Sequence, residues 1–391
     1  MKKILVYLEK SKLAPHGGPY AVGYYIYKRV QNLGISNISF IEDSKPIKYR
    51  GGNPKWLSFF RPLLKIRAIV NRIKRYKLLF SSGQESLVNF NEFDIIHFHT
   101  TRSMYEVRHS LANFDGKVVL TSHSPVPLAK ELYDEQLSTF EKIFFKKLYK
   151  KLPLMDEFAF NRADVIQFPC PESEEPYIKY LNGYRSFREK NHFKYRYIAT
   201  GIPASRPRRN KNDIREHLGI QLSDFIVSYV GRHNLVKGYD KLKQMGNNIL
   251  CKYNNVYFTI AGKESPLKGV KNPHWIEIGW TSDALSYVAA SDVFVLPNEE
   301  TYFDIVMLEV LSIGQLVVAS RTGGNKYFEQ FKNSGIFLYD TVDEAIQCIE
   351  NIRTMTEEDK NKLRNINKQI FMDNFTDEIF FSNYLQMLQQ I

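Results

Sequence analysis

With 391 residues, 43% of them apolar and 14% aromatic, the chain can bury more than one core, and two or three soluble domains are expected. No stretch approaches the ~18 uninterrupted apolar residues of a membrane span. Three widely spaced cysteines, Cys170, Cys251 and Cys348, exclude a disulfide framework and a cysteine metal cluster and fit a reducing, cytoplasmic compartment.

The formal net charge of +12 is unevenly spread, with eleven Lys or Arg and no acid between Lys45 and Lys77. Trp56, Phe59, Phe60, Leu63, Ile66, Ile69, Val70 and Ile73 are interleaved among them. Anionic lipid surfaces attract such a segment by about 1 kcal/mol per basic residue. A solvated basic helix with its apolar face on a core is the plainer alternative. No helix-turn-helix, zinc or RNA-binding signature accompanies the charge, so nucleic acid is not an expected partner.

In chain order, Lys3–Leu8 reads as a first strand, since MKKILVYLEKSK turns charged at Glu9 and Lys10, too early for a signal peptide. The loop from Ala14 to Pro19 carries Gly17-Gly18, which lets backbone approach a ligand closely, and a helix is expected over Tyr20–Leu33. Strands follow at Ile38–Glu42, Phe93–Phe98 and Val118–Leu120, the last two ending in His97-Phe98-His99 and Thr121-Ser122-His123. H-x-H suggests a metal, but no third ligand stands at a recognisable spacing. A long helical region from Leu128 to Ala163 precedes a strand at Val165–Phe168 and an acidic turn, Pro169–Pro176. A short strand is expected at Tyr197–Ala199, and the charged, proline-containing stretch 190–209 marks a domain boundary.

A second α/β series starts at Phe225. The strand Ile226–Val230 runs into Gly231-Arg232-His233-Asn234-Leu235-Val236-Lys237-Gly238, with further strands at Val256–Ile260 and Trp275–Ile278. The most informative stretch is Ser291–Phe328. A strand, Val293–Leu296, leads through an acidic and aromatic loop to a helix opened by Asp304, and a strand Leu316–Ala319 then meets Gly323-Gly324. This β-α-β unit puts polar residues where strands leave a sheet, the place open α/β folds bind ligands. A helix start there offers free N–H groups to a phosphate. Arg232 and Lys237, five apart in a strand-to-helix loop, make a plausible diphosphate clamp. Glu309 is polar within an otherwise apolar helix.

Together these stretches resemble the retaining glycosyltransferases of family 4, over nearly the whole chain and best from Val230 to Phe328. The family's G-R-x4-K-G is met by Gly231, Arg232, Lys237 and Gly238. Its E-G-F-G-L-V-x-x-E is met in part by residues 301–309, TYFDIVMLE. Its A-x-G-x-P-V-V-A-S-x-x-G-G is approximated by Ser312, Gly314, Val317, Val318, Ala319, Ser320, Gly323 and Gly324.

The resemblance implies the GT-B fold: two Rossmann-like, doubly wound α/β domains facing a cleft. An acceptor domain would span 1–205 and a nucleotide-sugar domain 206–375, with a helix, 376–391, returning to the first domain. It implies transfer of a sugar from a UDP- or GDP-sugar to a glycan or lipid-linked acceptor, at the cytoplasmic membrane face. No divalent metal or other cofactor is implied, and the chain has no D-x-D triplet. Arg232 and Lys237 would bind the diphosphate, and Glu309 the ribose hydroxyls. Thr301, Tyr302, Phe303, Asp304, Ile305 and Val306 would line the donor phosphates and sugar. Gly17 and Gly18 would form the donor-side glycine loop, and His123 would lie near the transferring sugar.

The match is incomplete. Aligned on Glu309, the family's first glutamate falls on Thr301, and its two glycines on Tyr302 and Asp304. Glu300 supplies the carboxylate if the loop bulges by one residue. Asp304 is expected to cap the helix, its carboxylate accepting from N–H groups two or three residues on.

Overall fold

The structure is a computed structural model that describes residues 1–8, 13, 18–41, 61–144 and 146–391. Gly17 and residues 45–60 of the basic segment lie outside the described residues.

The described residues form two six-stranded, all-parallel sheets flanked by helices. The first contains β1 (Ile4–Tyr7), β2 (Ile38–Phe40), β3 (Ile95–Phe98), β4 (Lys117–Thr121), β5 (Val165–Phe168) and β6 (Tyr195–Tyr197), in the order β2-β1-β3-β4-β5-β6. The second contains β7 (Phe225–Val230), β8 (Val256–Ala261), β9 (Trp275–Gly279), β10 (Val293–Leu296), β11 (Val317–Ser320) and β12 (Ile336–Tyr339), in the order β12-β11-β10-β7-β8-β9. Parallel strands covered on both faces read as near-continuous apolar runs rather than alternating ones. That is why β10, Val-Phe-Val-Leu, could be read as a buried strand, and all four residues are at most 1% exposed. Each order reverses once, between β1 and β3 and between β7 and β10, where neighbouring crossovers leave in opposite directions and open a crevice at the carboxyl ends.

Packing divides the chain into two compact units, Met1–Gln167 with Tyr177–Arg196, and Phe168–Pro176 with Tyr197–Gln390. The second unit contains the terminal helix Asp377–Gln390, whose Phe380 Cβ lies against Gly201. The helix expected over Tyr20–Leu33 runs Gly18–Asn32, and β2 ends at Phe40. Strand β6 begins two residues before the expected start. Tyr195 is buried, with its hydroxyl on that of Tyr184, whereas Tyr197 is 37% exposed.

Of the basic segment, residues 61–77 fall in the helix Arg61–Ser81, which buries Ile73, Tyr76 and Leu79. Its Arg72 pairs with Glu141 at 3.1 Å. Ile66 (56% exposed) and Val70 (42%) face solvent together with Arg67, Lys74 and Lys77. Among the described residues no helix is long and apolar enough to cross a membrane.

Candidate functional site

The crevice of the second sheet is built by two loops. Strand β7 runs into Gly231–Gly238 and β10 into Pro297–Asp304, side by side because β7 and β10 pair at Val227↔Val293. Gly238 joins them. Its φ of 63° is left-handed, and a Cβ there would lie 1.7 Å from the Pro297 carbonyl oxygen. The Val236 carbonyl accepts from the amides of Glu299 (2.9 Å) and Glu300 (3.4 Å), closing the seam.

This seam brings Lys237 onto Asp304, with Nζ 2.7 Å from both carboxylate oxygens, while Asn298 Nδ2 donates to the same carboxylate at 2.7 Å. The expected capping role of Asp304 is therefore corrected. It occupies the N-cap position of the helix Ile305–Ser312, but its side chain accepts no hydrogen bond from that helix, because the nearby ammonium and amide hold its carboxylate.

Arg232 is exposed on the same loop as Lys237. Glu309, further along the helix, is partly buried, and desolvation raises its carboxyl above the usual carboxylate range. Its carboxylate makes no hydrogen bond or ion pair among the described residues, so its oxygens are left for hydroxyl donors. Thr301, Tyr302 and Phe303 are buried, Ile305 and Val306 partly so, and Glu300 is 4% exposed. Thr301 Oγ1, Asn298 Oδ1 and Asn325 Oδ1 are buried without a hydrogen-bond partner. Each such group costs about 1–3 kcal/mol, so a cluster of them at a crevice calls for a ligand or water.

Gly323 and Gly324 let the β11 loop meet the β10 loop backbone to backbone. Cβ atoms there would lie 2.1 Å from the Thr301 oxygen and 1.9 Å from that of Tyr302. Two further supports carried no signal in the sequence beyond an acidic turn. Ser173 Oγ donates to the Tyr302 carbonyl at 2.5 Å, and Glu175 accepts from Gly323 N (2.8 Å) and Lys326 Nζ (2.9 Å).

In the first unit, β3 and β4 are neighbours, so their terminal histidines meet. His97 Nε2 lies 2.8 Å from Thr121 Oγ1, which donates to Gln167 Oε1 at 2.6 Å, so His97 is the donor to the threonine. His99 Nδ1 lies 2.9 Å from His123 Nε2, with the rings parallel to within 4°. Burial lowers His97 and His123 to about 3 and His99 well below its ordinary value. All three are neutral at pH 7. The spacing in the sequence supplied no third partner for H-x-H, and the fold supplies His123. His99 and His123 turn nitrogens on each other, and among the described residues no group of three or more His, Cys, Asp or Glu is arranged to hold a metal ion.

The sequence model of the family described as glycosyl transferases group 1 matches residues 224–357, the part of the chain that contains both loops. No curated protein matches the chain. Among solved structures, sucrose-phosphate synthase from Thermosynechococcus elongatus is similar with a TM-score of 0.65 at 15% identity, covering 100% of this chain and 99% of its own. HepE from Anabaena, in complex with UDP and glucose, gives 0.61 at 15% identity, with 100% of both chains covered. The catalytic domain of starch synthase IV from Arabidopsis thaliana, bound to ADP and acarbose, gives 0.63 at 16% identity and covers 100% and 99%. With its two six-stranded parallel sheets, the chain has the GT-B fold, and the stretch similar to the group 1 glycosyltransferases makes up its second sheet.

Proposed function

We propose that the chain is a retaining, metal-independent glycosyltransferase of family 4, moving a sugar from a nucleoside diphosphate sugar to a glycan or lipid-linked acceptor. The observation that carries this reading is the seam of β7 and β10, where Lys237 is held at the start of the helix that carries Glu309, a carboxylate without a partner among the described residues. The solved neighbours bound to UDP or ADP support the class of donor.

In this reading Arg232, Lys237 and the amides at Ile305 and Val306 stabilise the charge that gathers on the leaving diphosphate. Glu309 accepts from the ribose hydroxyls. Transfer on the front face lets the leaving phosphate take the acceptor's proton, so no protein nucleophile is required. In the same reading the neutral His123 contacts the transferring sugar, and Glu300 or Thr301 fills the family's first glutamate position. The exposed Ile66 and Val70 beside Arg67, Lys74 and Lys77 support docking on an anionic cytoplasmic membrane face.

The test is thermal stabilisation by UDP, GDP, ADP and their sugar conjugates, with Lys237→Ala and Glu309→Ala alongside. A ligand at 100 times its dissociation constant adds about 2.7 kcal/mol. The expected result is a shift with one nucleotide, lost in both variants. A second reading, a GT-B chain that binds a partner and transfers nothing, is favoured by one feature, the neutralisation of Lys237 by Asp304. Absence of a shift with every nucleotide would select it.

The same pair makes a prediction of its own. A diphosphate must displace the Asp304 carboxylate to reach Lys237, so Asp304→Asn should bind the preferred nucleotide on the order of tenfold tighter, about 1.4 kcal/mol. Isothermal titration of wild type and variant measures this, and equal or weaker binding in the variant would mean that the two anions do not compete.

A further inference from the structure

The second unit holds a cavity of about 600 Å³ whose lining includes Arg206, Lys211, Arg364 and Lys368 and no acidic residue. Ser291 and Gln315, also in its wall, stand just before β10 and β11, whereas the proposed donor loops leave the far ends of those strands. Four residues at about 3.3 Å each place roughly 13 Å of strand between the two ends. The cavity is therefore a separate place on the same sheet.

Its charge is not balanced from within. Asp292 is the carboxylate paired with Lys211, at 3.5 Å, but it is already engaged by Arg215 and by the amide of Ile226, both at 2.8 Å. Glu357, 3.4 Å from Arg364, is shared with Lys360 at 2.9 Å. The side chains of Arg206 and Lys368 make no ion pair or hydrogen bond among the described residues. Named together, these are six cations around two carboxylates. The helix Ile305–Ser312 ends at the cavity, but a helix C-terminus contributes only about half a negative charge. Its last carbonyls are also taken, with Leu311 O accepting from Gly314 N at 2.9 Å and Val310 O from Gln315 N at 3.1 Å. Burial and the nearby Arg215 and Arg364 lower the Lys211 ammonium's pKa, even though Asp292 acts to raise it. Uncompensated positive charge in a concave, partly desolvated space concentrates anions.

We propose that this cavity is a second ligand site, taking a phosphate-bearing molecule of about sugar-phosphate size. The volume falls in the range of about 300–1,000 Å³ that small-molecule sites occupy. Arg206 and Arg364 offer forked donors suited to phosphate oxygens, and Lys211 and Lys368 add point charge. Ala204, Ala289, Ile313 and Met372 provide an apolar wall for the body of the ligand. The site is independent of the proposed donor chemistry, because it shares no residue with the β7 and β10 loops.

The phosphate could come from a soluble ester or from a lipid headgroup, and the test separates them. The full chain is titrated with inorganic phosphate and glucose 6-phosphate, and sedimented with phosphatidylcholine vesicles with and without phosphatidate. The comparison is Arg206→Glu with Lys368→Glu, two exposed positions whose change leaves no buried partner behind. A soluble source predicts saturable glucose 6-phosphate binding, weakened at least tenfold in the double variant while UDP binding is unchanged. A lipid source predicts phosphatidate-dependent sedimentation that the same variant loses, even with the basic helix Arg61–Ser81 intact. If wild type binds none of these probes, or the double variant binds them as well as wild type, the proposal is overturned.

Discussion

Replacing Gly238 by alanine is expected to lower stability by about 3 kcal/mol or more and to abolish any nucleotide-induced thermal shift. A left-handed φ costs an L-residue about 1–2 kcal/mol by itself. Here a Cβ would also meet a backbone oxygen at 1.7 Å, which no rotamer can relieve, so the β7 and β10 loops must part. Lys237 is the adjacent residue, and its contact with Asp304 depends on that seam. Gly219 is the internal control, with a φ of 68° in the same unit and nothing within 4 Å of its built Cβ. Gly219→Ala should show the strain alone and keep nucleotide binding. Urea unfolding and thermal shift of both variants test this. Equal losses in the two would show that backbone strain, not the seam, sets the effect.

Acid is expected to destabilise the first unit well above the pH at which ordinary carboxylates titrate. His97 and His99 are 1% and 2% exposed and held neutral, with His97 near 3. The unfolded chain takes up a proton at each near pH 6.5 while the folded chain does not. Their stabilising contribution is thus present above pH 6.5 and lost as pH falls below it, at about 1.4 kcal/mol per pH unit for each histidine. One group opposes them. Buried Asp156, bonded to Thr101 Oγ1 at 2.7 Å, is raised to about 6, so below that pH the folded state takes a proton that the unfolded state does not take until near 3.8. Two histidines against one carboxyl leave a net loss of about 1.4 kcal/mol per pH unit between pH 6 and 4, with His123 adding to it. Urea unfolding at pH 7, 6 and 5 should show this slope. His97→Gln, which keeps a donor to Thr121, should flatten it by one histidine's share, about 1.4 kcal/mol per pH unit. A stability independent of pH from 7 to 5 would refute the assignment of neutral buried rings.

What could be read from the chain by itself was local and periodic. Predominantly apolar runs of four to six residues gave β7, β8, β10 and β11 to within a residue at each end, because strands covered on both faces are near-continuously apolar, with only small hydroxyl residues such as Ser228 and Thr259 buried among them. Glycines at 238, 323 and 324 were legible because backbone that passes this close to other backbone tolerates no side chain, and Gly231 because a Cβ there would meet the Tyr229 ring and hydroxyl. These features located both loops of the candidate site and the alternation of strand and helix that the GT-B fold requires.

Side-chain partners were decided only by the fold. Lys237 and Asp304 are 67 residues apart, and nothing along the chain distinguishes an aspartate that caps a helix from one that neutralises a lysine across a crevice. His99 and His123 meet only because β3 and β4 are neighbours, which strand order sets and hydrophobic periodicity does not. Ser173 and Glu175 reach the loop of Tyr302 and Gly323 over more than a hundred residues. The cationic cavity likewise assembles Arg206 and Lys211 with Arg364 and Lys368 from two distant stretches. Periodicity follows from each residue's own contact with solvent or core, and so survives in one dimension; pairing depends on which strands are adjacent, and exists only in three.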